Sequence, residues 1–68
     1  MTLDCLGQRC PLPVIALARA IGTVGIGEAL TVLADDPAAA NDIAAWCRMK
    51  GHELVESDAT AFTIRRLS

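Results

Sequence analysis

Apolar and polar positions change period several times along this 68-residue chain, and each change marks an element. Leu3 and Cys5 alternate with Thr2 and Asp4, which predicts a short strand over Thr2 to Cys5. Leu6-Gly7-Gln8-Arg9 breaks that alternation, and Gly7 is suited to a positive φ in the connection. From Pro11 the spacing turns helical, with Val14, Leu17, Ala18 and Ile21 as its apolar positions. A first helix is therefore predicted from about Pro11 to Ala20 or Ile21, stopped by Gly22, with Gly25 and Gly27 in the return loop. Ala29 to Ala34 is apolar on both faces, as in a strand inside a sheet. Asp35-Asp36-Pro37 places acids and a proline at a helix start. The second helix then runs to about Lys50, with Ala39, Ile43, Trp46, Cys47 and Lys50 on one stripe and Gly51 just past its end. His52 to Glu56 and Ala61 to Arg66 read as two strands joined by a hairpin turn over Ser57 to Thr60.

The order is thus β-α-β-α-β-β. Right-handed crossovers put both helices on one face of one sheet, so the fold class is an α/β (α+β) two-layer sandwich formed by residues 1–68 as a single domain. Composition sharpens this picture. Apolar residues are 53% of the chain, yet Trp46 and Phe62 are the only aromatics. The core must be aliphatic, which leaves no room for a large internal cofactor cavity, and no cofactor is expected. A net charge of −2 argues against an electrostatic grip on nucleic acid. The first residues show no basic region followed by an apolar run, and no apolar stretch is long enough to span a bilayer. The three cysteines cannot all pair internally. These points together lead us to expect a cytoplasmic protein with reduced thiols, without membrane or direct nucleic-acid contacts.

Candidate chemistry centres on Cys10-Pro11-Leu12-Pro13. Proline at the first helical position costs no hydrogen bond, so Cys10 falls at or beside the N-cap, at the positive end of the helix dipole. An ordinary thiol is only about 3% thiolate at neutral pH, and a helix N-terminus raises that fraction. With Cys10 as N-cap, its sulfur would accept from the Leu12 N–H, while Pro11 and Pro13 stiffen the backbone and offer no competing donor. Arg9 would add a nearby positive charge. Cys47, on the helical stripe, reads as a small buried hydrophobe, and His52 as a structural residue far from Cys10. The cysteines and the histidine lack the spacing of a zinc site. Gly22-Thr23-Val24-Gly25-Ile26-Gly27 follows a helix and precedes a strand, the reverse of a phosphate-binding loop, and reads as a turn.

The stretch Leu3-Asp4-Cys5-Leu6-Gly7-Gln8-Arg9-Cys10-Pro11-Leu12-Pro13 resembles the N-terminal signature of the TusA-like (SirA/YeeD-type) sulfur-carrier family. The likeness continues through Gly27-Glu28, Ala34-Asp35-Asp36-Pro37 and Gly51-His52, in order along nearly the whole chain. It implies a mixed four-stranded sheet. It also implies that Cys10 accepts sulfur as a persulfide from a donor protein of the cysteine desulfurase or rhodanese type and relays it to an acceptor protein. Members serve transfer-RNA thiolation, sulfur oxidation, molybdenum-cofactor synthesis and other sulfur trafficking. Cys5 falls where many members have another residue. It reads either as an apolar strand residue or as a resolving thiol that attacks a Cys10 persulfide. Two other readings stand beside the carrier: a Cys5/Cys10 dithiol–disulfide module, and a regulatory binding domain without chemistry of its own.

Overall fold

The computed structural model describes residues 1–9 and 11–68. The elements follow the expected order: β1 (Thr2–Asp4), α1 (Leu12–Ala20), β2 (Ala29–Leu33), α2 (Ala39–Lys50), β3 (Glu53–Ser57) and β4 (Ala61–Arg65). The strands form one mixed sheet in the order β1-β2-β4-β3. β1 and β2 are parallel, a pairing that α1 permits as their crossover, whereas β4 runs antiparallel to both β2 and β3. The β3–β4 hairpin thus slots its second strand against β2.

α1 and α2 pack against each other over the inner face of the sheet. Leu30 and Val32 of β2 and Phe62 and Ile64 of β4 point into that face, and Leu17, Ile21 and Ile43 close it from the helices. Cys5, Ala34, Ala39, Trp46 and Cys47 complete the core, which is aliphatic around two aromatic rings. The alternate residues of β2 and β4 are less buried, so the outer face of the sheet is uncovered by helices. β3 is an edge strand with a bulge: Leu54 pairs with Ile64 but Glu56 with Thr63, leaving Val55 as the extra residue. The irregularity sends Glu56 to the outer face and blunts an edge that would otherwise be open to pairing.

The strands differ from the expected bounds by a residue at most at each end, and the helix ends depart from expectation in three places, each for a local reason. α1 begins at Leu12 rather than Pro11, because Pro11 is itself the N-cap and its carbonyl accepts the first helical bond from the Ile15 N–H at 2.9 Å. Gly22 does not stop α1. The chain tightens into a 3-10 turn over Ile21–Thr23, and the Thr23 hydroxyl donates to the Ala20 carbonyl at 2.6 Å. The Arg66 guanidinium then donates to the Val24 carbonyl at 2.7 Å, tying this connection to the C-terminal segment. α2 begins at Ala39 because Asp36 first closes a turn, its carboxylate accepting from the Ala38 N–H at 2.8 Å and its carbonyl from the Ala39 N–H at 2.9 Å. Gly51 ends α2 as expected, in the left-handed conformation at φ 76° with its N–H on the Cys47 carbonyl.

Candidate functional site

Parallel pairing of β1 and β2 brings the C-terminal exits of both strands to one edge of the sheet. The Cys5 N–H donates to the Leu33 carbonyl at 2.8 Å, one step past the Asp4–Leu33 register pair. Beyond that bond the chain leaves the sheet as a loop leading to α1. The Leu6 N–H donates to the Asp4 carboxylate at 3.1 Å, and the Gln8 N–H to the Cys5 carbonyl at 3.1 Å. Between them Gly7 takes the positive φ expected of it, 79°, and its N–H donates to the Asp35 carboxylate at 3.0 Å. On the helix side the Leu12 N–H donates to the Arg9 carbonyl at 2.9 Å. The segment is thereby fastened ahead of Cys10 and behind it.

Cys10 lies outside the described residues. Its neighbours are placed. Arg9 and Pro11 are exposed, while Pro13, in the first turn of α1, is fully buried. The two prolines therefore do different work: Pro13 packs into the core and anchors the helix start, and Pro11 stays at the surface. The expected bond from the Leu12 N–H to a Cys10 sulfur lies outside the described residues. Among the described residues that N–H donates to the Arg9 carbonyl, and the N-cap is Pro11, so Cys10 stands beside the cap in sequence.

Cys5 is 3% exposed and Cys47 2%. Both are free thiols, and burial pushes both up from the ordinary thiol range; at Cys5 the neighbouring Asp4 charge adds to the rise. The thiolate is the reactive form, so both are set against nucleophilic work. His52 stacks on Trp46 with ring centroids 5.3 Å apart, and its Nδ1 accepts from the Leu67 N–H at 3.2 Å. It thus closes the C-terminal end of α2 and faces neither described cysteine as a base. No cluster of His, Cys, Asp or Glu among the described residues is placed to hold a metal ion, and no helix is long and apolar enough to cross a membrane.

Two features went unread in the sequence. The first is the Gly7–Asp35 bond. The sequence reading has Asp35 and Asp36 capping α2, but its N-cap is Ala38 with no side-chain cap bond; Asp36 closes the turn before the helix, and Asp35 turns to the other loop. The available signal was the parallel pairing, which places residues just past β1 beside residues just past β2. The second is a shallow groove of about 210 Å³ between the helices, lined by Pro11, Val14, Asp42, Ala45, Trp46 and Met49. Only the packing of α1 on α2 creates it, and no local pattern announces it.

Comparison with known proteins agrees with this architecture. A crystal structure of a SirA-like protein from Desulfitobacterium hafniense superposes with a TM-score of 0.75 at 32% sequence identity, covering 98% of this chain and 97% of that one. The model of the family described as sulfurtransferase TusA matches residues 1–66. With the two-helix, mixed four-stranded fold and the family match extending over almost every residue, the chain belongs to the TusA sulfurtransferase family.

Proposed function

We propose that this protein carries sulfur as a persulfide on Cys10, receiving it from one protein and passing it to another in the cytoplasm. The observation behind this reading is the position of Cys10 in the chain. It directly precedes the N-cap of α1, inside a segment whose two flanks are hydrogen-bonded in place, while the other two cysteines are in the core. The α1 N-terminus favours the thiolate, and exposed Arg9 favours it further. Gly7 supplies the loop conformation, Pro13 anchors the helix start, and Pro11 caps it without an N–H of its own.

The chemistry is an exchange at sulfur without net redox change. The Cys10 thiolate attacks the outer sulfur of a donor persulfide. A new S–S bond forms at Cys10, the donor S–S bond breaks, and the donor leaves as a thiolate. A nucleophile on the acceptor then attacks the outer sulfur of Cys10 persulfide, and Cys10 leaves as the thiolate it began as. A donor of the cysteine desulfurase or rhodanese type presents sulfur in the required form. The burial of Cys5 supports a packing role over that of a resolving thiol.

Intact-mass spectrometry after incubation with a cysteine desulfurase and cysteine tests the reading. The expected result is a gain of one sulfur atom, reversed by a thiol reductant, lost in Cys10→Ala and kept in Cys5→Ala. A Cys10→Ala chain that loads as well as the wild type refutes it.

A further inference from the structure

Among hydrogen bonds between described residues, the 3.0 Å bond from the Gly7 N–H to the Asp35 carboxylate is the one that ties residues 6–9 to a distant part of the chain. The other bonds of the loop are local. Leu6 reaches Asp4, Gln8 reaches Cys5 and Leu12 reaches Arg9, so each shapes a turn without fixing where that turn sits on the protein. Asp35 stands two residues past β2, at the same sheet edge, and has no part in starting α2, which Asp36 and the Ala38 carbonyl do. Gly7 in turn sits at φ 79°, a conformation that aims its N–H out of the local turn and across to the second strand exit. Three residues later in sequence comes Cys10.

We propose that Asp35 is a positioning residue for Cys10: by holding Gly7 against the end of β2, its carboxylate fixes the segment that leads into the sulfur-carrying residue. The proposal rests on the carrier reading of Cys10. Transfer between two proteins needs the attacking sulfur in line with the S–S bond it breaks, and a segment free to sample many placements meets that condition less often. A hydrogen bond of ordinary net strength shifts such an equilibrium about five-fold. The same fastening holds the residues that lead into α1, whose N-terminus favours a thiolate.

The test compares Asp35→Ala with Asp35→Asn in the full chain. Both remove the charge, but the asparagine side-chain oxygen still accepts from the Gly7 N–H. Two quantities are measured: the rate of sulfur loading from a cysteine desulfurase supplied with cysteine, and the pH midpoint of Cys10 alkylation by iodoacetamide, read by peptide mass. Asp35→Ala is expected to load more slowly than Asp35→Asn, by up to about five-fold, with its alkylation midpoint displaced upward relative to it. Asp35→Asn is expected to load like the wild type. Equal loading and coincident midpoints in the two variants overturn the proposal, as does an Asp35→Asn chain as slow as Asp35→Ala. A wild-type chain that takes up no sulfur overturns the carrier reading instead, and the alkylation midpoints then decide on Asp35 alone.

Discussion

Gly7→Ala isolates a single physical term. A Cβ built on Gly7 meets nothing within 4 Å, so the substitution creates no clash. What remains is the backbone: φ is 79°, in the left-handed region that costs a residue with a Cβ about 1–2 kcal/mol. Against this, alanine restricts the unfolded chain more than glycine does, which returns about 0.4–1 kcal/mol. The net expectation is a loss of about 1 kcal/mol. With a urea dependence near 1 kcal/mol per molar for so small a domain, the unfolding midpoint falls by about 1 M. Gly7→Asn is the matched control, because asparagine tolerates the left-handed region and its expected loss is smaller. Urea unfolding followed by circular dichroism measures both. An alanine variant as stable as the wild type, or an asparagine variant as destabilised as alanine, refutes the assignment of strain to this dihedral. The alanine chain can also relax by letting φ turn negative, which releases the Gly7 N–H from Asp35. Combining Gly7→Ala with Asp35→Ala detects this, since the second substitution then adds less than it does alone.

Two further outcomes follow from the buried thiols. Under native conditions iodoacetamide is expected to modify one cysteine, Cys10, while Cys5 and Cys47 react only after unfolding, because they are 3% and 2% exposed; peptide mass mapping checks this, and rapid native labelling of Cys5 refutes it. Stability is also expected to fall on the alkaline side. The folded-state thiol pKa values of Cys5 and Cys47 are raised, so their contribution is fully present below the unfolded thiol value of about 8.5 and is lost as pH rises from there through the folded values. Urea midpoints measured across this range should decline, and the decline should weaken in Cys5→Ala, whose overall stability is lower because a buried side chain is trimmed.

The elements were legible wherever the signal was local. The stripe of Ala39, Ile43, Trp46 and Cys47, ended by Gly51, locates α2 because helical burial repeats every three to four residues and a left-handed terminator must follow. Gly7 was legible for the same reason, as a conformational requirement visible at one residue. Misreadings arose where two local devices competed. Pro11 can open a helix or cap it, and the turn closed by the Arg9 carbonyl decides for the cap. Gly22 can stop a helix, but the Thr23 hydroxyl and the Arg66 guanidinium satisfy the carbonyls there without a left-handed residue. The Val55 bulge follows from pairing with β4 and has no sequence signature of its own. Asp35 was legible as an acid at the right sheet edge, whereas its choice of the Gly7 N–H over the α2 terminus depends on the parallel register of β1 and β2.

That register also explains how so small a domain separates its thiols. Cys5, the residue just past β1, enters the core as the chain leaves the sheet, and α2 supplies Cys47 to the same core. Burial pushes both thiols up from the ordinary range, which sets both against nucleophilic work. The segment after Cys5 rises out of the sheet edge on a glycine turn and a carboxylate tether. On the carrier reading proposed above, a persulfide would be held by a covalent bond, so storing it would need no enclosed pocket, and a core made of small aliphatic side chains would suffice. The selectivity of such a carrier must then reside in the surface around the loop rather than in an interior. Exposed Leu6, Leu12, Ile15 and Met49, together with the groove beside Pro11, are the parts of that surface the fold leaves uncovered. If the carrier reading holds, substitutions there should change which proteins exchange sulfur with the chain while leaving its stability within about 0.5 kcal/mol, whereas substitutions in the core should do the reverse.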